Sequence, residues 1–95
     1  MTVLEVKYRN VALRVELDGV RSAALFINNI QRMQDTLTTL PGTIRLSSSV
    51  QTDYEWHEFI EAIVTFTEKE IGISLRASNS EIAGETYPVQ IDDDQ

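Results

Sequence analysis

The chain has no cysteine, which excludes disulfides, thiolate metal sites and cysteine nucleophiles together. A small secreted domain ordinarily needs such staples. Their absence favours a reducing, cytoplasmic compartment, whether of the host or of a cell that a virus or plasmid has entered. Nowhere do the roughly 20 apolar residues of a membrane-spanning helix run together. Met1 to Asn10 alternates charged and apolar residues, so the apolar core of a signal peptide is not expected there. The glycines Gly19, Gly42, Gly72 and Gly84 are isolated, which excludes a phosphate-cradling loop.

Basic residues are scarce in one half. Residues 51–95 hold only Lys69 and Arg76 against eleven carboxylates, a net −9, whereas residues 1–50 hold six basic residues against four acidic ones, a net +2. A block of like charge weakens the compact state by self-repulsion. Its uses are solubility, repulsion of nucleic acid and membrane, and attraction of a basic partner. The six basic residues of the first half are scattered, without the interleaved aromatics of a nucleic-acid groove. No direct nucleic-acid or membrane binding is therefore expected. Arg9, Arg14 and Arg45 would form a small cationic spot only if their strands were adjacent.

With 95 residues, 42% hydrophobic and 24% charged, the chain has the size and balance of one globular domain. Leu4, Val6 and Tyr8, then Val11, Leu13, Val15 and Leu17, alternate with polar or small residues and predict two strands joined at Arg9-Asn10, where Asn tolerates positive φ. From Val20 to Leu40, Ala23, Phe26, Ile27, Ile30, Met33 and Leu37 follow helical spacing, with Leu25 as a misfit on the polar face. Pro41-Gly42 would stop that helix. Thr43 to Val50 predicts a strand, with polar Ser48 at an inward position that suits an edge; alternatively the strand ends at Ser47 and the serines are loop.

A second helix is expected from Thr52, whose spacing to Glu55 fits a capping box, up to the break at Gly72. Trp56, Phe59, Ile60, Ile63 and Phe66 would form its apolar stripe. The β-branched run Ile63-Val64-Thr65 argues for early fraying or a strand instead. Ile73 to Ala77 and Thr86 to Ile91 complete the pattern as strands, with a turn at Ser78-Asn79-Ser80 and Pro88 confining the last strand to an edge. No repeat is evident. The order β-β-α-β-α-β-(β) predicts an α+β two-layer sandwich over residues 1–91, a mainly antiparallel sheet with two helices on one face, followed by an acidic disordered tail at 92–95.

No pattern calls for catalysis, a metal or a cofactor. His57-Glu58-Phe59-Ile60-Glu61 has the outline of a zinc-protease motif, but Glu61 stands where the second histidine belongs. Ser47, Ser48, Ser49, Ser78 and Ser80 lack a nucleophile-elbow setting and are explained by caps and turns. Glu58 and Glu61 on a solvated helix face would lack the desolvation that paired catalytic carboxylates need. The expected site is instead a protein contact. Asp53, Glu55, Glu58 and Glu61 would steer a basic partner, and Tyr54, off the apolar stripe, would dock. The chain is expected to be a non-enzymatic inhibitor masking a basic nuclease or nucleic-acid-binding surface. By class analogy, immunity proteins and phage blockers of host defence work this way. The alternative is a self-associating scaffold module, forming a homodimer.

Overall fold

In the computed structural model, which describes residues 2–18, 21–53 and 56–88, there is no helix. Eight strands follow one another: β1 (Thr2–Tyr8), β2 (Val11–Asp18), β3 (Ser22–Ile27), β4 (Ile30–Thr36), β5 (Gly42–Asp53), β6 (Trp56–Phe66), β7 (Glu70–Ala77) and β8 (Ser80–Pro88). They form two four-stranded antiparallel meanders, β1-β2-β3-β4 and β5-β6-β7-β8. The inward residues of both sheets build one core, in which Leu13, Val15, Leu25 and Ile27 from the first sheet meet Ile44, Leu46, Ile60, Val64 and Leu75 from the second. The α+β sandwich predicted from sequence is thus replaced by an all-β sandwich, and the acidic tail lies outside the described residues.

Both predicted helices are strands. The first covers β3, a two-residue turn and β4. Asn28 and Asn29 adopt φ of 52° and 68°, the double positive φ of a tight hairpin turn that Asn tolerates better than most residues. Arg9-Asn10 and Ser78-Asn79 turn the chain in the same way. Helical spacing arose because an irregularity between Leu25 and Phe26 leaves Arg32 as an extra residue in β4, moving the alternation of Ile30 onto Met33. Leu25, the misfit on a helix, is fully buried in the core. The second predicted helix falls on β6. There Glu58, Ile60, Ala62, Val64 and Phe66 point inward while His57, Phe59, Glu61, Ile63 and Thr65 point outward. Gly72, expected to break the chain, is paired within β7 against Thr65 and Thr86.

The two sheets contain a structural repeat. Leu25↔Met33, Phe26↔Gln31 and Ile27↔Ile30 recur fifty positions later as Leu75↔Ala83, Arg76↔Glu81 and Ala77↔Ser80, with the same bulge and the same kind of turn. Segments 22–36 and 72–86 share only Leu25/Leu75, Asn29/Asn79 and Thr36/Thr86. So few identities hide the repeat from a reading of residues.

Every edge strand is blunted. Register shifts occur in β1–β2, β3–β4, β5–β6 and β7–β8, the four pairings that involve an edge, and not in the central pairings β2–β3 and β6–β7. Bulges twist an edge away from a new strand, and inward-pointing charges make its docking costly. Asp35 on β4 is such a charge, in register with the buried residue Ala23.

Candidate functional site

The residues expected to form one acidic face are divided by the strand. Residues three apart share a helix face but lie on opposite faces of a sheet. Glu58 therefore points inward and Glu61 outward. Asp53 ends β5, and Tyr54 and Glu55 lie outside the described residues.

Glu58 is only 5% exposed, and its carboxylate is satisfied from three elements. Tyr8 Oη donates to Oε1 and Oε2 at 3.0 and 3.1 Å, and Ser78 Oγ donates to Oε1 at 3.1 Å. Arg9 Nε lies 3.1 Å from Oε2 and also donates to Tyr8 Oη at 3.1 Å. A buried carboxylate is tolerated when its lone pairs are filled in this way. The cluster ties the β1–β2 turn to β6 and the β7–β8 turn. It is a clasp between the sheets, and Glu58 is not available to steer a partner.

The outward face of the second sheet offers a different site. Glu61 is half-buried there, 3.5 Å from Arg45 Nη1 and in register with Arg76. Phe59, expected in an apolar stripe, is 47% exposed. Beyond Ile63 the surface sinks into an open recess of about 640 Å³, floored by Gly72 and Ser74 and walled by Ile63, Thr65, Glu81 and Glu85. Its shape follows from the missing side chains. A Cβ on Gly72 would meet nothing within 4 Å, whereas one on Gly84 would come within 3.2 Å of Glu81 Oε2 and 3.3 Å of the Ile73 carbonyl. Gly84 thus lets Glu81 lie across the strand, where Ser74 Oγ donates to its Oε1 at 2.7 Å. An apolar wall beside carboxylates suits the stem and the charged head of a lysine or arginine side chain.

Charge follows the layers, because the chain finishes one sheet before starting the other. Residues 2–36 carry five basic and four acidic residues, a net +1, and residues 42–88 carry three basic and eight acidic ones, a net −5. The cationic spot foreseen from Arg9, Arg14 and Arg45 does not form. Arg9 serves the clasp, Arg45 pairs with Glu61, and Arg14 lies over the Phe26 ring on the opposite layer, 4.3 Å from its centroid.

Among the described residues no group of three His, Cys, Asp or Glu side chains could hold a metal ion. His57 is exposed on β6, the Ser78 hydroxyl is committed to Glu58, and Ser48 Oγ donates to the Ser49 carbonyl at 3.5 Å. Reading from sequence missed Phe59, Gly72, Ser74, Glu81 and Gly84 as surface features. The usable signal was Gly72 and Gly84 flanking a strand pattern, since glycine inside a strand often marks a close approach or an opening. Among the described residues no helix is long and apolar enough to cross a membrane. Comparison with protein-family models, curated proteins and solved structures gave no match.

Proposed function

We propose that the chain is a non-catalytic protein-binding module that masks a basic surface of a partner, in the manner of an inhibitor of a nuclease or nucleic-acid-binding protein. The observation that carries this reading is the segregation of charge: a net −5 lies in the layer whose outer face also holds the glycine-floored recess and exposed Phe59. Like charge in one layer steers a basic partner and raises its association rate. The exposed aromatic gives the contact an anchor. The absence of cysteine fits action in the cytoplasm.

A homodimeric scaffold is the weaker reading, because the edge-strand bulges and Asp35 on β4 oppose strand-to-strand assembly. The test is affinity capture from host lysate with a salt-gradient elution, run with the wild type, Glu81→Lys and Gly72→Val. A basic protein retained by the wild type and released at lower salt by both variants supports the reading. Retention unchanged in both variants overturns the assignment of this face, and recovery of the bait alone as a multimer overturns the inhibitor function.

A further inference from the structure

We propose that two copies of the chain exchange whole sheets, forming a dimer in which each sandwich joins the first sheet of one copy to the second sheet of the other. The inference goes beyond the binding reading above and does not depend on it. It starts from connectivity. β1–β4 and β5–β8 are each complete in one stretch of chain, and among the described residues no strand ladder joins the two sheets. One connection, residues 37–41, is all that makes their pairing intramolecular. When that connection runs straight on to a neighbouring copy, every contact of the core and of the Glu58 clasp re-forms between copies. The edge strands stay as they are, so the bulges and Asp35 that oppose strand-to-strand assembly do not oppose exchange. Exchange of an identical element is a low-cost route to a dimer.

The clasp fixes which sheets pair. Tyr8 and Arg9 belong to the first sheet, and Glu58 and Ser78 to the second. Two second sheets packed together would bury two carboxylates without the tyrosine donor, a costly arrangement. Each second sheet therefore needs a first sheet, from its own copy or from another.

Few contacts fold the connection back. Leu37 N donates to the Arg21 carbonyl at 2.8 Å, and Arg21 Nη1 to the Thr38 carbonyl at 3.4 Å. Leu37 packs against the core, and a Cβ on Gly42 would come within 3.0 and 3.1 Å of its two methyl groups. Gly42 thus makes room for the closed form. A β-branched residue there would push Leu37 out while suiting the extended chain of the open form. A short connection holds the two sheets at an effective concentration on the order of millimolar. Exchange competes with closure when the chain folds at that concentration, and the dimer then persists on dilution because reopening it means separating the core. Both outer faces are unchanged by exchange, so the dimer carries the exposed Phe59 twice.

The experiment refolds the full chain from urea at roughly 10 μM and at roughly 1 mM, either side of closure's advantage, followed by dilution and size exclusion with light scattering. The wild type should be monomeric after dilute refolding and partly dimeric, at twice 10.8 kDa, after concentrated refolding. Gly42→Val should move the onset of dimer to about tenfold lower concentration. Deleting residues 38–40 leaves three peptide steps between Thr36 and Gly42, at most about 11 Å of chain, too short to turn back between sheets about 10 Å apart. That variant should be dimeric at both concentrations. Dimer formed from an equal mixture of isotopically labelled and unlabelled chain is then searched for nuclear Overhauser contacts between the Tyr8 ring of one copy and Ser78 of the other. Their presence establishes exchange. A dimer without them is an ordinary association and overturns the proposal. A wild type that stays monomeric after refolding at the higher concentration overturns it too, as does a deletion variant that is monomeric or unfolded.

Discussion

Removing one hydroxyl tests the clasp. Tyr8→Phe keeps the ring that packs against the core and deletes the donor shared between the two oxygens of Glu58. A hydrogen bond to a buried charged group contributes about 1.5–3 kcal/mol. Ser78 and Arg9 continue to serve the carboxylate in the variant, so the lower part of that range applies, about 1.5–2 kcal/mol. Arg9 adds little, because its side chain is 61% exposed and an exposed ion pair contributes about 0.5 kcal/mol. Unfolding is followed by far-ultraviolet circular dichroism in urea. With a slope of roughly 1–1.5 kcal/mol/M for a chain of this size, the midpoint should fall by roughly 1–2 M.

The control is the same substitution in a Glu58→Val background, where the hydroxyl has no charge to serve. There its removal should change stability by less than about 0.5 kcal/mol. An equal loss in both backgrounds would mean that ring packing, not the hydrogen bond, was perturbed. A loss below about 0.5 kcal/mol in the wild type would refute the clasp.

Gly72→Val should raise stability by about 0.5–1 kcal/mol, because the site is a strand interior with open space above it; thermal unfolding checks this, and a lowered melting point would show that the floor is not free. Asn29→Ala and Asn79→Ala should each cost about 1–2 kcal/mol in the left-handed region, while Asn79→Gly should be nearly neutral. The loss at Asn29 should be the larger, since its Oδ1 also accepts from Arg14 Nη1 at 2.6 Å, and equal losses in urea unfolding would contradict that added role. Asp35→Val should leave the melting point unchanged or higher, yet raise light scattering on storage by freeing the β4 edge; monomers stable for weeks would show that the bulges alone protect it.

Much of the strand pattern was legible because alternation survives where one face is buried and the other solvated. Val11 to Leu17 and Ile73 to Ala77 obey that rule, and so does Ser48, half-buried on β5, an edge strand. The Arg9-Asn10 turn was read from the tolerance of Asn for positive φ. The same argument applied to Asn28-Asn29 would have placed the hairpin, but the pair sat inside an apolar pattern whose phase had been moved by a two-residue turn and a bulge. Together these imitate a period near 3.6. In β6 the solvent face itself carries Phe59 and Ile63, so the alternation was masked by apolar residues on both sides, leaving the β-branched run as the correct warning. The acidic site inherited the helix error. Glu58 and Glu61 were joined by a spacing that a strand pulls apart.

The symmetry of the fold makes Glu58 informative. Two residues before Leu13 and Ile60, which correspond in the repeat, stand Val11 and Glu58, both inward and nearly equally buried at 4% and 5%. Val11 shows that an apolar residue suffices to fill this position, so the carboxylate is not needed for burial alone. Removing one partner of a buried ion pair is costly when it strands the other charge in the interior, but here Arg9 is largely exposed and returns to water, so the change stays within about 1 kcal/mol. What the carboxylate adds is direction: it accepts only where Tyr8, Arg9 and Ser78 converge, and so distinguishes one end of a repeated sandwich from the other. Two similar meanders meeting through aliphatic side chains and Phe66 have little polar contact to fix how one seats on the other, and a polar group buried at one place can supply that specificity. Glu58→Val should then keep its urea midpoint within roughly 1 M of the wild type while its amide resonances broaden or double around Tyr8 and Ser78. A single sharp set of resonances with native shifts at the far turns would show that aliphatic packing alone sets the seating of the sheets.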